Sequence, residues 1–207
     1  MMEKLKPQHL EAEMNQSNKA LILLFPDTPN RSVEELEVPK RYRLRNYIDS
    51  DKDAYLKLLE SEGWRLNEEH FKDFYDRVLP NGLFILEDTR DGSIVSTAAA
   101  LHNPNCSHHY FPFGGDIGFV ITQPEHRGQG LGYIASRAAT IRLINGGYAS
   151  IRVVTNDHRL TAIKIYLKMG YLPFLYDQDM EKRWEKVCEQ VNWGYRPEEW
   201  IKPNSIR

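Results

Sequence analysis

The sequence predicts an α/β (α+β) domain, and three observations carry that prediction. From Tyr42 onward, short alternating or β-branched runs and longer runs of helical periodicity follow one another as strand, two helices, three strands, helix, strand, helix, strand. A glycine-rich turn, Arg127-Gly128-Gln129-Gly130-Leu131-Gly132, joins an apolar strand-like segment to an amphipathic helix. The chain has 207 residues, somewhat above the ~150 of one domain, so a single core with extra segments at both ends fits its length.

Each element has its own grounds. Residues 1–40 read as an N-terminal extension in which only Ala20-Leu21-Ile22-Leu23-Leu24-Phe25 is apolar enough to be a buried strand or short helix. The domain proper begins at 41. Tyr42 to Ile48 alternates like a strand, Ser50-Asp51-Lys52-Asp53 starts a helix, and Ala54, Tyr55, Leu58 and Leu59 give that helix its apolar stripe. A second helix begins at Asn67, carries Phe71, Phe74 and Val78, and stops before Pro80. Strands over 82–87 and 93–101 flank a hairpin turn marked by Asp91-Gly92. Ile117 to Thr122 is the next strand, broken by Gln123-Pro124-Glu125-His126, which leaves Glu125 and His126 on the surface. Leu131, Ile134, Ala135, Ala138 and Ile141 form one face of the following helix, which Asn145-Gly146-Gly147 ends. Ile151 to Thr155 is a β-branched strand, and a helix from Leu160 to Met169 stops at Gly170. Residues 177–207 hold a last helix with Met180, Trp184, Val187, Cys188 and Val191 on one face, ended by Gly194. That stripe packs on its own domain or, alternatively, forms a homodimer contact.

The glycine turn is where chemistry enters. Glycines let a backbone approach a bulky anion, and the first turn of a helix offers free N–H groups and a partial positive charge. Two phosphate-binding patterns fail on spacing. Counting G-x-G-x-x-G from Gly128 puts Tyr133 in place of the third glycine, and no Lys-Ser or Lys-Thr follows for a P-loop. A ligand-free turn between strand and helix is the plain alternative. The remaining pattern, R-x-x-G-x-G over Arg127 to Gly132, resembles the GNAT superfamily of acetyl-CoA-dependent N-acetyltransferases. Ala162, Tyr166, Gly170 and Tyr171 match that family's A-x-x-x-Y-x-x-x-G-[FY] series, with Arg159 where the family commonly has Asn. The Asp157-His158-Arg159-Leu160 version is similar to a bacterial branch that includes mycothiol-synthase-like acetyltransferases.

The resemblance covers about residues 42–176 and implies a mixed central sheet flanked by helices, whose fourth and fifth strands splay apart for the pantetheine arm. It implies that acetyl-CoA is the cosubstrate, with Arg127, Gly128, Gln129, Gly130, Leu131, Gly132 and Asn156 at the cofactor and the backbone of Val120, Ile121 and Thr122 along the pantetheine. It puts Tyr166 near the CoA sulfur. A phenol of pKa about 10 can protonate a thiolate of pKa about 8.5, which makes Tyr166 the candidate acid. Asp116, eleven residues before Arg127, stands where the histone-acetyltransferase branch has its glutamate base. A solvated residue at a strand start after Gly114-Gly115 is the competing reading of Asp116.

The rest of the composition mainly excludes. Lys+Arg 27 against Asp+Glu 29 gives a net charge of −2 and no basic stripe, so no nucleic-acid partner is expected. The longest apolar run falls far short of the ~20 residues that span a bilayer, so no membrane partner and a cytoplasmic location are expected. Cys106 and Cys188 lack paired spacing, and His102, His108 and His109 lack a ligand pattern, so no metal is expected. The segment His102 to Gly114, with Tyr110, Phe111 and Phe113, and the isolated Trp64 are candidates for the wall of an acceptor pocket. Two functions follow: transfer of acetyl to a primary amine of a small molecule or protein in a ternary complex, or a non-catalytic acyl-CoA-binding sensor.

Overall fold

The computed structural model describes residues 19–26, 36–106 and 109–203. Its strands are β1 (Leu21–Phe25), β2 (Tyr42–Asn46), β3 (Val78–Asp88), β4 (Ile94–His102), β5 (Asn105–Cys106), β6 (His109–Tyr110), β7 (Gly114–Thr122), β8 (Ser150–Thr155) and β9 (Leu172–Pro173). Its helices are α1 (Lys52–Ser61), α2 (Glu68–Tyr75), α3 (Leu131–Asn145), α4 (Leu160–Lys168) and α5 (Met180–Val191). Seven strands form one sheet in the order β2-β3-β4-β7-β8-β1-β9, and β5 pairs with β6. Within the sheet only β7 and β8 run parallel, so it is mixed and mostly antiparallel, as the resemblance implied.

Three apolar clusters flank the sheet. On one face, α3, α4 and α5 bury Leu131, Ala135, Leu143, Tyr166 and Trp184 against Leu23, Leu86, Ile117 and Val153. On the other, α1 and α2 bury Tyr55, Leu59, Phe71 and Phe74 against Ile85, Leu101 and Ile121. Beyond them on that second face, Cys106 and Phe111 of the β5–β6 segment cover Ile22, Leu24 and Phe174.

Of the two readings of residues 20–25, buried strand or short helix, β1 is the buried strand. The division at residue 40 set it in an extension, but Leu21–Phe25 lies inside the sheet, antiparallel to both β8 and β9. A strand covered on both faces reads as an unbroken apolar run rather than an alternating one, which is why Leu-Ile-Leu-Leu gave no periodicity to read. The rest of the extension call, 1–18 and 27–35, falls outside the described residues.

Smaller differences have local causes. The Asn67 side chain caps α2 by accepting from His70 N–H, 2.8 Å, but the helix ends at Tyr75 and Val78 pairs with Leu101 as the start of β3. Asn192, in the left-handed region with φ 52°, ends α5 two residues before Gly194. Met180, Trp184, Val187, Cys188 and Val191 are all buried within the chain's own core.

Candidate active site

The Arg127–Gly132 turn has the open backbone that an anion site needs. Gly128 and Gly130 have φ of 78° and 77°, a region costly for side-chain-bearing residues, and a Cβ at either would meet nothing within 4 Å. Gly130 is the N-cap of α3, and the first backbone bond into that cap is Ile134 N–H to Gly130 C=O, 3.0 Å. The N–H groups of Leu131, Gly132 and Tyr133 precede it and so have no intrahelical acceptor. No acidic residue occupies the first turn of α3, leaving its positive end open to an anion. A Cβ on Gly132 would meet Thr122 Oγ1 at 3.4 Å, an ordinary contact, so the space there does not itself require glycine.

The side chains of the turn are already engaged. Arg127 donates through Nε to the Thr122 carbonyl, 3.1 Å, and pairs through Nη2 with Glu62 at the end of α1. Gln129 Oε1 accepts from the Tyr42 hydroxyl, 3.1 Å, whose oxygen also lies 3.0 Å from His126 Nδ1. His126 is therefore buried, not on the surface as its turn position suggested, and it ties the turn to β2. What the turn leaves open is its backbone more than its side chains.

Below the turn the sheet opens. β7 and β8 pair only from Gly114↔Ser150 to Ile117↔Val153, then separate. Val120, Ile121 and Thr122 keep β4 on one side, with Thr97↔Ile121 and Ser96↔Thr122, and have no strand partner on the other. A register shift between Thr97 and Ala99 and a φ of 53° at Phe119 mark a bulge where β7 begins to leave β8. The Phe119 ring packs against Phe74 at 4.1 Å and Trp64 at 4.9 Å. The parting of the strands leaves the backbone edge of Val120 to Thr122 without a strand partner on that side.

Tyr166 lies on α4 within the core, 4% exposed. Burial pushes its phenol up to about 12, with the charge of Arg159 pulling the other way. Its ring lies 6.2 Å from that of Tyr171, whose hydroxyl is 2.9 Å from Thr140 Oγ1 of α3. Asn156 is half-buried after β8, and its carbonyl accepts from Arg159 N–H, 2.9 Å. The Arg159 guanidinium is 6.0 Å from the Trp64 ring, so it reaches from the start of α4 to the α1–α2 connection.

Asp116 is not the solvated strand-end residue of the competing reading. It is 7% exposed within β7, and Arg152, fully buried on β8, places Nε 2.6 Å from its Oδ1. Asn103 donates to its other oxygen. Burial pushes its carboxyl up to about 6 against the pull of Arg152 and Asn103. The pair occupies the row Leu101↔Asp116↔Arg152↔Leu24 across the sheet, so it lies on the α1–α2 face, at the seam between the second and third clusters. It is also one rung before the last paired rung of β7 and β8.

Of the expected pocket aromatics, Phe111 is buried and stacks on the Arg152 guanidinium at 4.7 Å, while Tyr110 and Phe113 are exposed. His102 Nδ1 lies 2.9 Å from the Tyr148 hydroxyl. His108 is outside the described residues, and among those described no group of three metal-ligating side chains occurs. Sequence reasoning missed Arg152, although a cation within Ile151-Arg152-Val153-Val154 was the available signal: a charge in a buried strand needs a partner. It also missed the reach of Arg159 to Trp64, which no spacing encodes.

Comparison with known proteins agrees with the fold. The model of the "Acetyltransferase (GNAT) family" matches residues 34–171. No curated protein matches the chain. Among solved structures, a GCN5-related N-acetyltransferase from Sphaerobacter thermophilus is similar at 16% identity and a TM-score of 0.58, covering 80% of this chain and 52% of its own. One from Kribbella flavida is similar at 19% identity and a TM-score of 0.52, covering 81% and 60%. A putative GNAT acetyltransferase from Novosphingobium aromaticivorans is similar at 16% identity and 0.51, covering 74% and 59%. At these identities the likeness is one of fold, and this chain spans only between a half and three fifths of those structures.

Proposed function

The chain belongs to the GNAT acetyltransferase family, and from that premise we propose that it transfers the acetyl group of acetyl-CoA to a primary amine of a small molecule or protein, by direct transfer in a ternary complex. Family membership supports acyl transfer as the reaction class. The observation that carries the donor is the open cradle of Gly128 and Gly130 over the uncapped N-terminus of α3, which suits a pyrophosphate. The free edge of Val120 to Thr122 supports the same donor, since its backbone can pair with the pantetheine amides and an N–H there can stabilise the oxyanion that develops on the thioester carbonyl.

The remaining steps fall to side chains. The amine nitrogen attacks the carbonyl carbon, the C–N bond forms and the C–S bond breaks with its electron pair going to sulfur. Tyr166, protonated across the neutral range, gives its proton to that sulfur. Asp116, directly or through water, takes the proton the amine loses. The alternative of a non-catalytic acyl-CoA sensor would need the cradle but not the buried phenol. The test is an acetyl-CoA thiol-release screen over amines, polyamines, aminoglycosides, amino acids and peptide N-termini. Turnover with one class supports the enzyme, and tight CoA binding with no turnover on any class would favour the sensor.

A further inference from the structure

Gln129 sits between Gly128 and Gly130, whose φ of 78° and 77° leave the backbone there with little restraint of its own. Its side chain supplies one. Gln129 Oε1 lies 3.1 Å from the Tyr42 hydroxyl, and that hydroxyl oxygen lies 3.0 Å from His126 Nδ1. An amide oxygen can only accept, so the single phenolic hydrogen goes to Gln129. The phenol oxygen then accepts at its other contact, which puts a hydrogen on His126 Nδ1. The hydrogen-bond chain therefore runs from His126 through Tyr42 to Gln129, and it grips the turn on both sides of Arg127-Gly128.

Tyr42 is a firm anchor for that chain. It opens β2 opposite Asp88, is 5% exposed and belongs to the largest apolar cluster. Asp88 is fully buried and accepts from Arg41 Nη2 at 2.7 Å and Arg90 Nη2 at 2.9 Å, while the Arg41 guanidinium lies 5.2 Å from the Tyr42 ring. The hydroxyl is thus a fixed point of the sheet, whereas Gln129 is exposed on a glycine turn. Resting on the reading that this turn holds the pyrophosphate of CoA, we propose that Tyr42 is a positioning residue: its hydroxyl, through Gln129, holds the turn in its anion-ready conformation before the ligand arrives. No atom of Tyr42 needs to touch the ligand. Without the tether the two glycines let the turn populate other conformations, and affinity falls in proportion to the fraction that stays competent.

Calorimetric titration of CoA into the wild type, Tyr42→Phe, Gln129→Met and the double variant tests this. Each single change removes one side of the bond and keeps most of the side chain's bulk. Gln129 is exposed, so its variant keeps the test decisive even where loss of the buried hydroxyl weakens the sheet. Each single variant is expected to bind CoA about tenfold more weakly, and the double variant no more weakly than Gln129→Met alone, because the two residues act through one bond. A Tyr42 that served only the stability of the sheet would change affinity by the same factor whether position 129 is Gln or Met. Additive losses, or wild-type affinity in either single variant, overturn the inference. Wild-type protein that binds no CoA overturns the donor reading beneath it, which is a different and separately visible result.

Discussion

The two candidate proton carriers are both buried, and burial acts on them in useful directions. It pushes the Tyr166 phenol up to about 12, so the proton it must donate is retained at neutral pH. Tyr166→Phe is expected to slow turnover at least about tenfold with CoA affinity little changed, since general acids contribute that much or more; steady-state kinetics beside calorimetry checks this, and undiminished turnover removes Tyr166 from the mechanism. For Asp116, burial wins over Arg152 and puts the carboxyl at about 6, so it is charged at pH 7 and able to accept a proton. The rate is therefore expected to fall as pH drops through 6, a limb that Asp116→Asn abolishes along with most activity. The same shift links to stability. A carboxyl raised above its unfolded value of about 3.9 adds stability below that value, and loses it as pH climbs from about 4 to 6. Arg152→Met removes the compensating cation and is expected to destabilise by roughly 3–5 kcal/mol near pH 8. The loss should be smaller near pH 5, where Asp116 takes a proton; urea unfolding at the two pH values measures it, and an equal loss at both contradicts the pairing.

At the level of elements, the turn before α3 and the strand β1 show what a sequence reveals and what it hides. Arg127 to Gly132 was legible because glycine spacing has few physical meanings, and two of three phosphate-loop patterns failed on the identity of single residues. The α5 stripe was legible because a helical period survives burial on one face. β1 was not, because burial on both faces erases alternation, and its partners β8 and β9 lie more than a hundred residues downstream. Since Leu23 is fully buried between two strands, Leu23→Ala is expected to cost about 2–5 kcal/mol in urea unfolding. A loss within ~0.5 kcal/mol, ordinary for a surface change, would mean that this segment does not belong to the sheet. The Asp116–Arg152 pair and the Arg159–Trp64 contact were hidden for another reason: each joins side chains from separate elements, and only the folded sheet brings them together.

Across the whole molecule, one geometry links these parts. The sheet is continuous from β2 to β9, yet its two halves part where β7 leaves β8. The glycine turn follows the free end of β7, Arg159 reaches toward Trp64, and Asp116 and Arg152 lie one rung before the strands part. Fold class could be read from the order of the elements; the proposed donor rests on the spacing of one turn, and no comparable pattern points to an acceptor. The central claim is that the turn holds the pyrophosphate of CoA, and calorimetric titration of CoA into the wild type and Gly130→Glu tests it most directly. That substitution forces a side chain into φ 77° and puts a carboxylate in the cradle. The account predicts one CoA bound per chain of wild type and none detectable in the variant, whereas equal affinity in both would contradict it.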